Sequence, residues 1–212
     1  MACPSTLLYE KGYNPRMSSH PTQPIRLIVG LGNPGADYAA TRHNAGFWFV
    51  DLLAERFGGS FKSESKFHGQ ACRILVEGRE CWLLKPTTFM NRSGQSVSSL
   101  AKYYKIGLDE ILVAHDELDM PPGVARLKFG GGHAGHNGLR DLVSALGGKE
   151  FWRLRIGIDH PGNAREVVNY VLGRPSKPDA EAIARALDEG ERVLPDLVEG
   201  RFQVAMNALH SG

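Results

Sequence analysis

An α/β fold is predicted, a single domain whose twisted, mixed β-sheet is flanked by helices, and three observations carry the prediction. Short runs rich in Ile, Val and Leu alternate along the chain with longer stretches of helical period. One pair of these runs is separated by a tight turn, which adds an antiparallel hairpin to strands otherwise joined by crossover helices. The length, 212 residues, suits one large domain with a sizeable core. Composition agrees: 42% apolar and 23% charged residues are ordinary for a globular protein and exclude disorder, collagen or coiled coil as whole-chain descriptions. No apolar run approaches the roughly 18 residues of a membrane span. Three cysteines, Cys3, Cys72 and Cys81, cannot frame a disulfide scaffold and fit a reducing compartment, the cytoplasm.

Residues 1–24 read as an N-terminal extension or tag, with Pro4, Pro15, Pro21 and Pro24, no apolar period and no secretory h-region. The domain proper is expected over 25–212. Ile25–Val29 is a buried strand ending in Gly30. Ala45–Phe57 is a helix with Phe47, Val50, Leu53, Ala54 and Phe57 on one face, stopped by Gly58-Gly59. Gln70–Val76 and Cys81–Lys85 flank Glu77-Gly78-Arg79 as a hairpin, which can bring Cys72 and Cys81 face to face as free thiols. Ser93–Tyr104 is a helix with Val97, Leu100, Ala101 and Tyr104 inward, and Ile111–His115 a second buried strand. Val124–Phe129 and Arg153–Ile158 are two more strands around a helix from about Gly138 to Leu146. Asp179–Leu194 and Phe202–Leu209 close the chain as amphipathic helices.

Chemistry-bearing residues follow the strands. The glycine loop Gly30–Gly35 (GLGNPG) has G-x-G-x-x-G spacing, so a dinucleotide site has to be weighed. Asp51, at the distance of a ribose-binding acid, falls in a helix rather than after a strand, and Pro34 removes an N–H that a pyrophosphate would need. The loop instead presents Asn33, whose amide has both a donor and an acceptor, or which simply bonds its own turn. His43, in TRHNAG at a helix start, is a candidate general base; the helix N-terminus is expected to keep its ring neutral. Asp116 leaves a buried strand at its carboxyl end, where open α/β sheets build their sites, and a histidine Nδ1–H is a suitable partner for it. Asn91 (PTTFMNRSG) and Asn137 (GGGHAGHNGLRD) stand where helix N-caps are expected. His133 and His136 have H-x-x-H spacing, but a glycine-rich loop fixes no ligand geometry and no third ligand is indicated. Asn33, Asn91, Asp116 and Asn137 all lie just past strand ends, so one crevice can collect three amides, a carboxylate and an imidazole. With no G-x-S-x-G elbow and no cysteine nearby, this set favours hydrolysis by a histidine-activated water, and an ester over an amide. The net charge of +2 hides a basic stretch: Met120–Arg155 holds six basic residues against two acidic ones, a pattern that fits phosphate binding or a solvated face.

At these segments the sequence resembles the bacterial-type peptidyl-tRNA hydrolases. The matching stretches are GLGNPG with Tyr38, TRHNAG, KPTTFMNRSGQSV, LVAHDELDMPPG, GGGHAGHNGLRD and RLRIGIDHPG, spread over about residues 25–210. The resemblance implies cleavage of the ester between a peptide and the 3′ CCA end of tRNA, which returns tRNA for reuse after aborted translation. It implies His43 as general base, Asp116 as the carboxylate that orients it, and Asn33 as the residue that tells N-blocked from free aminoacyl esters. It further implies Asn91 and Asn137 as substrate-holding amides, Tyr38, Phe89 and Met90 as lining for the peptide and 3′ end, and Lys128 and Arg155 as contacts to acceptor-stem phosphates. A monomer with no metal, cofactor or membrane association is implied as well. Residues 1–24 have no counterpart in the family. Ala134 stands where relatives commonly have glycine, which matters only if that position needs a positive φ.

Overall fold

The computed structural model describes residues 21–210; all but the last four residues of the expected N-terminal extension lie outside them. Seven strands form one sheet: β1 Leu27–Gly30, β2 Lys62–Glu64, β3 Gly69–Val76, β4 Arg79–Pro86, β5 Ile111–Glu117, β6 Ala125–Phe129 and β7 Trp152–Gly157. Their order is β2-β3-β4-β1-β5-β7-β6. The four central strands β4-β1-β5-β7 are parallel, and the antiparallel pairs β2/β3, β3/β4 and β6/β7 supply the edges. The sheet is therefore mixed, as predicted. Among the described residues seven α-helices accompany it: α1 Ala45–Arg56, α2 Ser93–Tyr104, α3 Asn137–Leu146, α4 Val167–Val171, α5 Lys177–Arg192, α6 Leu194–Val198 and α7 Phe202–His210.

The central strands bury alternate residues on opposite faces, so both faces need a helical cover. Ile28, Leu112 and Ala114 pack with Phe49, Val50 and Leu53 of α1, Ile183 and Leu187 of α5, and Phe202 of α7. Leu27, Val29, Ile111 and Val113 pack with Val97 and Leu100 of α2 and Leu139 and Leu142 of α3. The first glycine of the GLGNPG loop serves this packing. A Cβ on Gly30 would collide with the carbonyl of Gly46 in α1, and one on Gly46 with the carbonyl of Ala114 in β5. The nucleotide-like spacing thus records a close helix–strand crossing.

Several boundaries differ from expectation. The hairpin turn is two residues, Glu77 and Gly78 at φ 48° and 74°, and Arg79 already pairs with Val76; two positive φ values make this the tight turn suited to twisted strands. Cys72 and Cys81 are buried free thiols, set diagonally because Cys72 pairs with Leu83 and Ile74 with Cys81. The short edge strand β2 and the five-residue α4 escaped the sequence patterns, being too short to show a period.

Strand order reverses about β1: the chain leaves it through α1 toward β4 and returns through α2 to β5 on its other side. Such a switch point opens a crevice at the carboxyl ends of the strands. Over it runs the loop 130–136, where Gly130, Gly131 and Gly135 have φ of 62°, 96° and 82°, and Ala134 shares the left-handed region at φ 46°. Ala134 is exposed, so its methyl brings strain without burial. Ala134→Gly is expected to stabilise the protein slightly, by about 0.5 kcal/mol, as relief of left-handed strain outweighs the entropy glycine adds to the unfolded chain. Urea unfolding measures it; a destabilisation beyond about 1 kcal/mol would mean that the methyl packs against something.

Candidate active site

The crevice is a cleft of about 830 Å³. Into it the three-residue turn Arg42–Asn44, just before α1, delivers His43. Its two neighbours fasten the turn on either side. Asn44 exchanges hydrogen bonds with the backbone of Asn33: Asn33 N–H donates to Asn44 Oδ1 at 2.8 Å, and Asn44 Nδ2 donates to the Asn33 carbonyl at 3.0 Å. Arg42 turns the other way, toward α4.

Asp116 is the second-last residue of β5 rather than lying beyond it, and only 4% of it is exposed. A carboxylate so placed needs donors, and two histidines supply them. His43 Nδ1 lies 2.9 Å from both carboxylate oxygens, and His136 Nε2 lies 3.0 Å from Oδ1. The remaining contacts settle the tautomers. His136 Nδ1 accepts the N–H of Leu139 at 3.3 Å, so its proton sits on Nε2 and is donated to Asp116. His43 likewise donates Nδ1–H, which leaves the lone pair of Nε2 for the cleft.

Burial lowers the proton affinity of His43, but the charge and hydrogen bond of Asp116 outweigh it, and the pKa is raised above its ordinary value. The shift is opposite to the lowering expected from a helix N-terminus: the ring sits on its own turn before α1, with the Asp116 carboxylate against it. The paired histidines hold the Asp116 carboxyl well below the usual carboxylate range, against a desolvation that works to raise it. His115, fully buried beside them, donates Nδ1–H to the Asp116 carbonyl at 2.7 Å; burial and the neighbouring His136 push its pKa down to about 3, and it stays neutral. His43, Asp116 and His136 lie close enough to be weighed as a metal site. Yet the nitrogens that face the carboxylate are occupied in bonding it, so a cation would have to break both hydrogen bonds.

The asparagines divide into two kinds. Asn33 is not a self-bonded turn residue: its Oδ1 accepts the N–H of Met90 at 2.8 Å, joining the loop after β1 to the one after β4. Its oxygen is thus engaged, and no hydrogen bond from its NH2 is made among the described residues. Asn91 lies in the turn Met90–Arg92 and caps nothing, and Asn137 is the first residue of α3, whose cap is His136. Both line the cleft, and both are exposed. Met90 is buried in its floor and Phe89 stands 55% exposed at its rim. Tyr38 lies edge-on to Phe89 at 6.2 Å, and it meets the site through that ring rather than by lining the cleft.

Lys128 and Arg155 line the far side. In the β6/β7 register Lys128 is opposite Arg153, and Arg126 opposite Arg155, so four cations share one face of two strands. Like charges directly opposite destabilise a sheet. Glu117 offsets one of them, accepting from Arg155 Nε at 2.8 Å. Arg153, 2% exposed, donates to the carbonyls of Gly132 and Gly131 at 2.6 and 2.8 Å and so pins the glycine loop that carries His136 and Asn137. Sequence reading missed Asn44, His136 and Arg153 in these roles. A position immediately before a helix marks His136 as a cap, but nothing local reveals that its other nitrogen reaches Asp116.

Residues 27–212 match the family model for peptidyl-tRNA hydrolase. A peptidyl-tRNA hydrolase of Methylobacillus flagellatus is 56% identical over 187 residues, covering 88% of this chain and 97% of the relative. One of Chromohalobacter salexigens is 56% identical over 188 residues, with 88% and 97% covered. The crystal structure of peptidyl-tRNA hydrolase from Acinetobacter baumannii superposes with a TM-score of 0.85 at 53% identity, over 87% of this chain and 94% of that one.

Proposed function

The chain belongs to the peptidyl-tRNA hydrolase family, and from that premise we propose that His43 is the general base of an esterase acting on peptidyl-tRNA, with Asp116 holding its Nδ1 and the asparagines holding the substrate. The hydrolysis itself follows from family membership; the division of labour among residues is our reading. One observation carries it: both oxygens of a buried carboxylate lie 2.9 Å from one nitrogen of His43. The other nitrogen is thereby kept unprotonated and basic.

The steps follow from that arrangement. A water hydrogen-bonded to His43 Nε2 gives up a proton as its oxygen bonds to the ester carbonyl carbon. The imidazolium formed is stabilised by Asp116, and the tetrahedral oxyanion by the NH2 of Asn33, the donor that the Met90 contact leaves free. Collapse breaks the bond to the ribose oxygen, which takes the proton back from Nε2, and peptide and tRNA leave. The amides of Asn91 and Asn137 bond the peptide and the terminal nucleotide, and Phe89, backed by Tyr38 and floored by Met90, offers a base or side chain an apolar face. The proton that Nε2 takes from water is returned to the leaving oxygen, so the cycle closes on this one imidazole and no metal or cofactor is invoked.

The cationic face of β6 and β7 takes acceptor-stem phosphates, through the exposed ammonium of Lys128 and the two terminal nitrogens of Arg155. The protein acts as a monomer in this reading, in the cytoplasm where its substrate is made. Lys128→Ala or Arg155→Ala is expected to raise KM and to flatten the dependence of binding on salt by about one unit of slope for each phosphate no longer neutralised. Titration of tRNA between low and moderate salt measures it, and an unchanged slope would move the phosphate elsewhere. The reading as a whole is tested by following N-acetyl-aminoacyl-tRNA and the free aminoacyl-tRNA side by side in EDTA. Release from the blocked ester only is expected; dependence on added metal, or equal release from both, would overturn it.

A further inference from the structure

The neighbour of His43, Arg42, is among the few buried charges, with 9% exposure, and no step above uses it. Its side chain runs to one segment. Its backbone N–H donates to the Gly173 carbonyl at 3.1 Å. Its guanidinium donates to the carbonyl of Arg174 at 2.8 Å and to that of Tyr170 at 3.4 Å, lies 4.1 Å from the centre of the Tyr170 ring, and comes within 3.7 Å of Asp179. Tyr170 is itself moored, donating its hydroxyl to the Ile158 carbonyl at 2.7 Å. Tyr170 is the second-last residue of α4, so this cation sits at the carboxyl end of that helix, where the dipole favours it. Five residues of helix would not hold their place unaided.

What this bolt holds is an apolar wall of a cleft whose other side carries the histidines, Asp116 and the asparagines. Val167, Val168, Val171 and Leu172 line it, with Leu118 alongside. Val168 is 65% and Leu172 38% exposed, while asparagine amides line the cleft elsewhere. The wall is continuous with the cleft that contains His43, and the turn carrying His43 also carries the arginine that fixes it.

We propose that Arg42 is a positioning residue: it sets the apolar wall of α4 at a fixed place relative to His43, and that wall takes the apolar side chain of the peptide residue joined to tRNA. The inference rests on the cleft being the ester-hydrolysis site. Lysine cannot substitute, because one ammonium cannot serve two carbonyls and also cover a ring as a plane does.

The test uses one tRNA charged with either N-acetyl-leucine or N-acetyl-glycine. The wild type is expected to favour the leucyl ester by about tenfold in kcat/KM, the range of a partly buried apolar side chain, mainly through KM. Arg42→Lys should bring that ratio to about twofold or less. Val168→Ser, at an exposed position with little bearing on folding, should do the same, and the double variant should add nothing further. If Arg42→Lys does not fold, Tyr170→Leu, which removes the ring beneath the guanidinium, carries the same expectation. A wild-type ratio near one, or variants that lower both substrates equally, would overturn the inference and leave Arg42 a scaffold residue. Failure of the wild type to release either peptide would instead overturn the functional reading beneath it.

Discussion

Replacing His43 by alanine is expected to lower the rate of peptide release by about 10²- to 10⁴-fold, the span of a missing general base, with tRNA affinity nearly unchanged. The two effects separate because the groups separate. The lone pair that takes the proton of water belongs to a turn before α1, while the cations that meet phosphate lie on β6 and β7. The substitution also withdraws one of two histidine donors from Asp116, a carboxylate 4% exposed. A cost of about 1–3 kcal/mol in stability is therefore expected beside the kinetic one. Single-turnover release of N-acetyl-aminoacyl ester, with tRNA binding and thermal unfolding measured on the same variant, distinguishes these effects. A folded variant that keeps a tenth or more of the activity would remove His43 as the base.

The pairing that this variant probes shows how far sequence could reach. The sheet was legible because buried parallel strands read as continuous apolar runs, as in Ile111–Ala114, all buried. His43 and Asp116 were legible as a candidate pair, since a carboxylate at a strand end needs a donor and a histidine is a natural one. His136 was not. Its role depends on one ring nitrogen capping α3 through Leu139 and the other reaching Asp116, and only the folded loop brings these about. Asn33 was legible as a residue presented by a tight loop, but its spare donor was not, because its oxygen is spent on Met90, 57 positions away in sequence. Arg42 reads as an ordinary basic residue at a helix start until α4 folds back over it. Contacts of that separation leave no periodic trace.

Asp116→Asn is expected to reduce turnover by about 10² or more, and the reason lies in the symmetry of its contact with His43. Both carboxylate oxygens are 2.9 Å from Nδ1, so in either orientation the amide sets an NH2 against that nitrogen and keeps a single oxygen, for which the Nε2–H of His136 also competes. A protonated Nδ1 then meets a donor where it had an acceptor, and an unprotonated one gains a hydrogen bond. The ring is driven to carry its proton on Nε2, the nitrogen that must accept one from water, and the competent tautomer becomes a minor species. His136 meets the same amide through Nε2, so reorienting the side chain cannot free His43 of the NH2. The pH dependence should move in a defined direction. Asp116 raises the pKa of His43 against a desolvation that lowers it; without the carboxylate charge only the lowering remains, and His43 titrates at lower pH. Activity that depends on the unprotonated ring rises with pH through that pKa, so the acid limb of the variant should lie to the acid side of the wild type while its plateau stays far lower. A profile of kcat/KM from about pH 5 to 8, the range in which histidines titrate, tests both features together. A depressed plateau with an unmoved acid limb would mean that Asp116 serves the fold or the substrate rather than the basicity of His43.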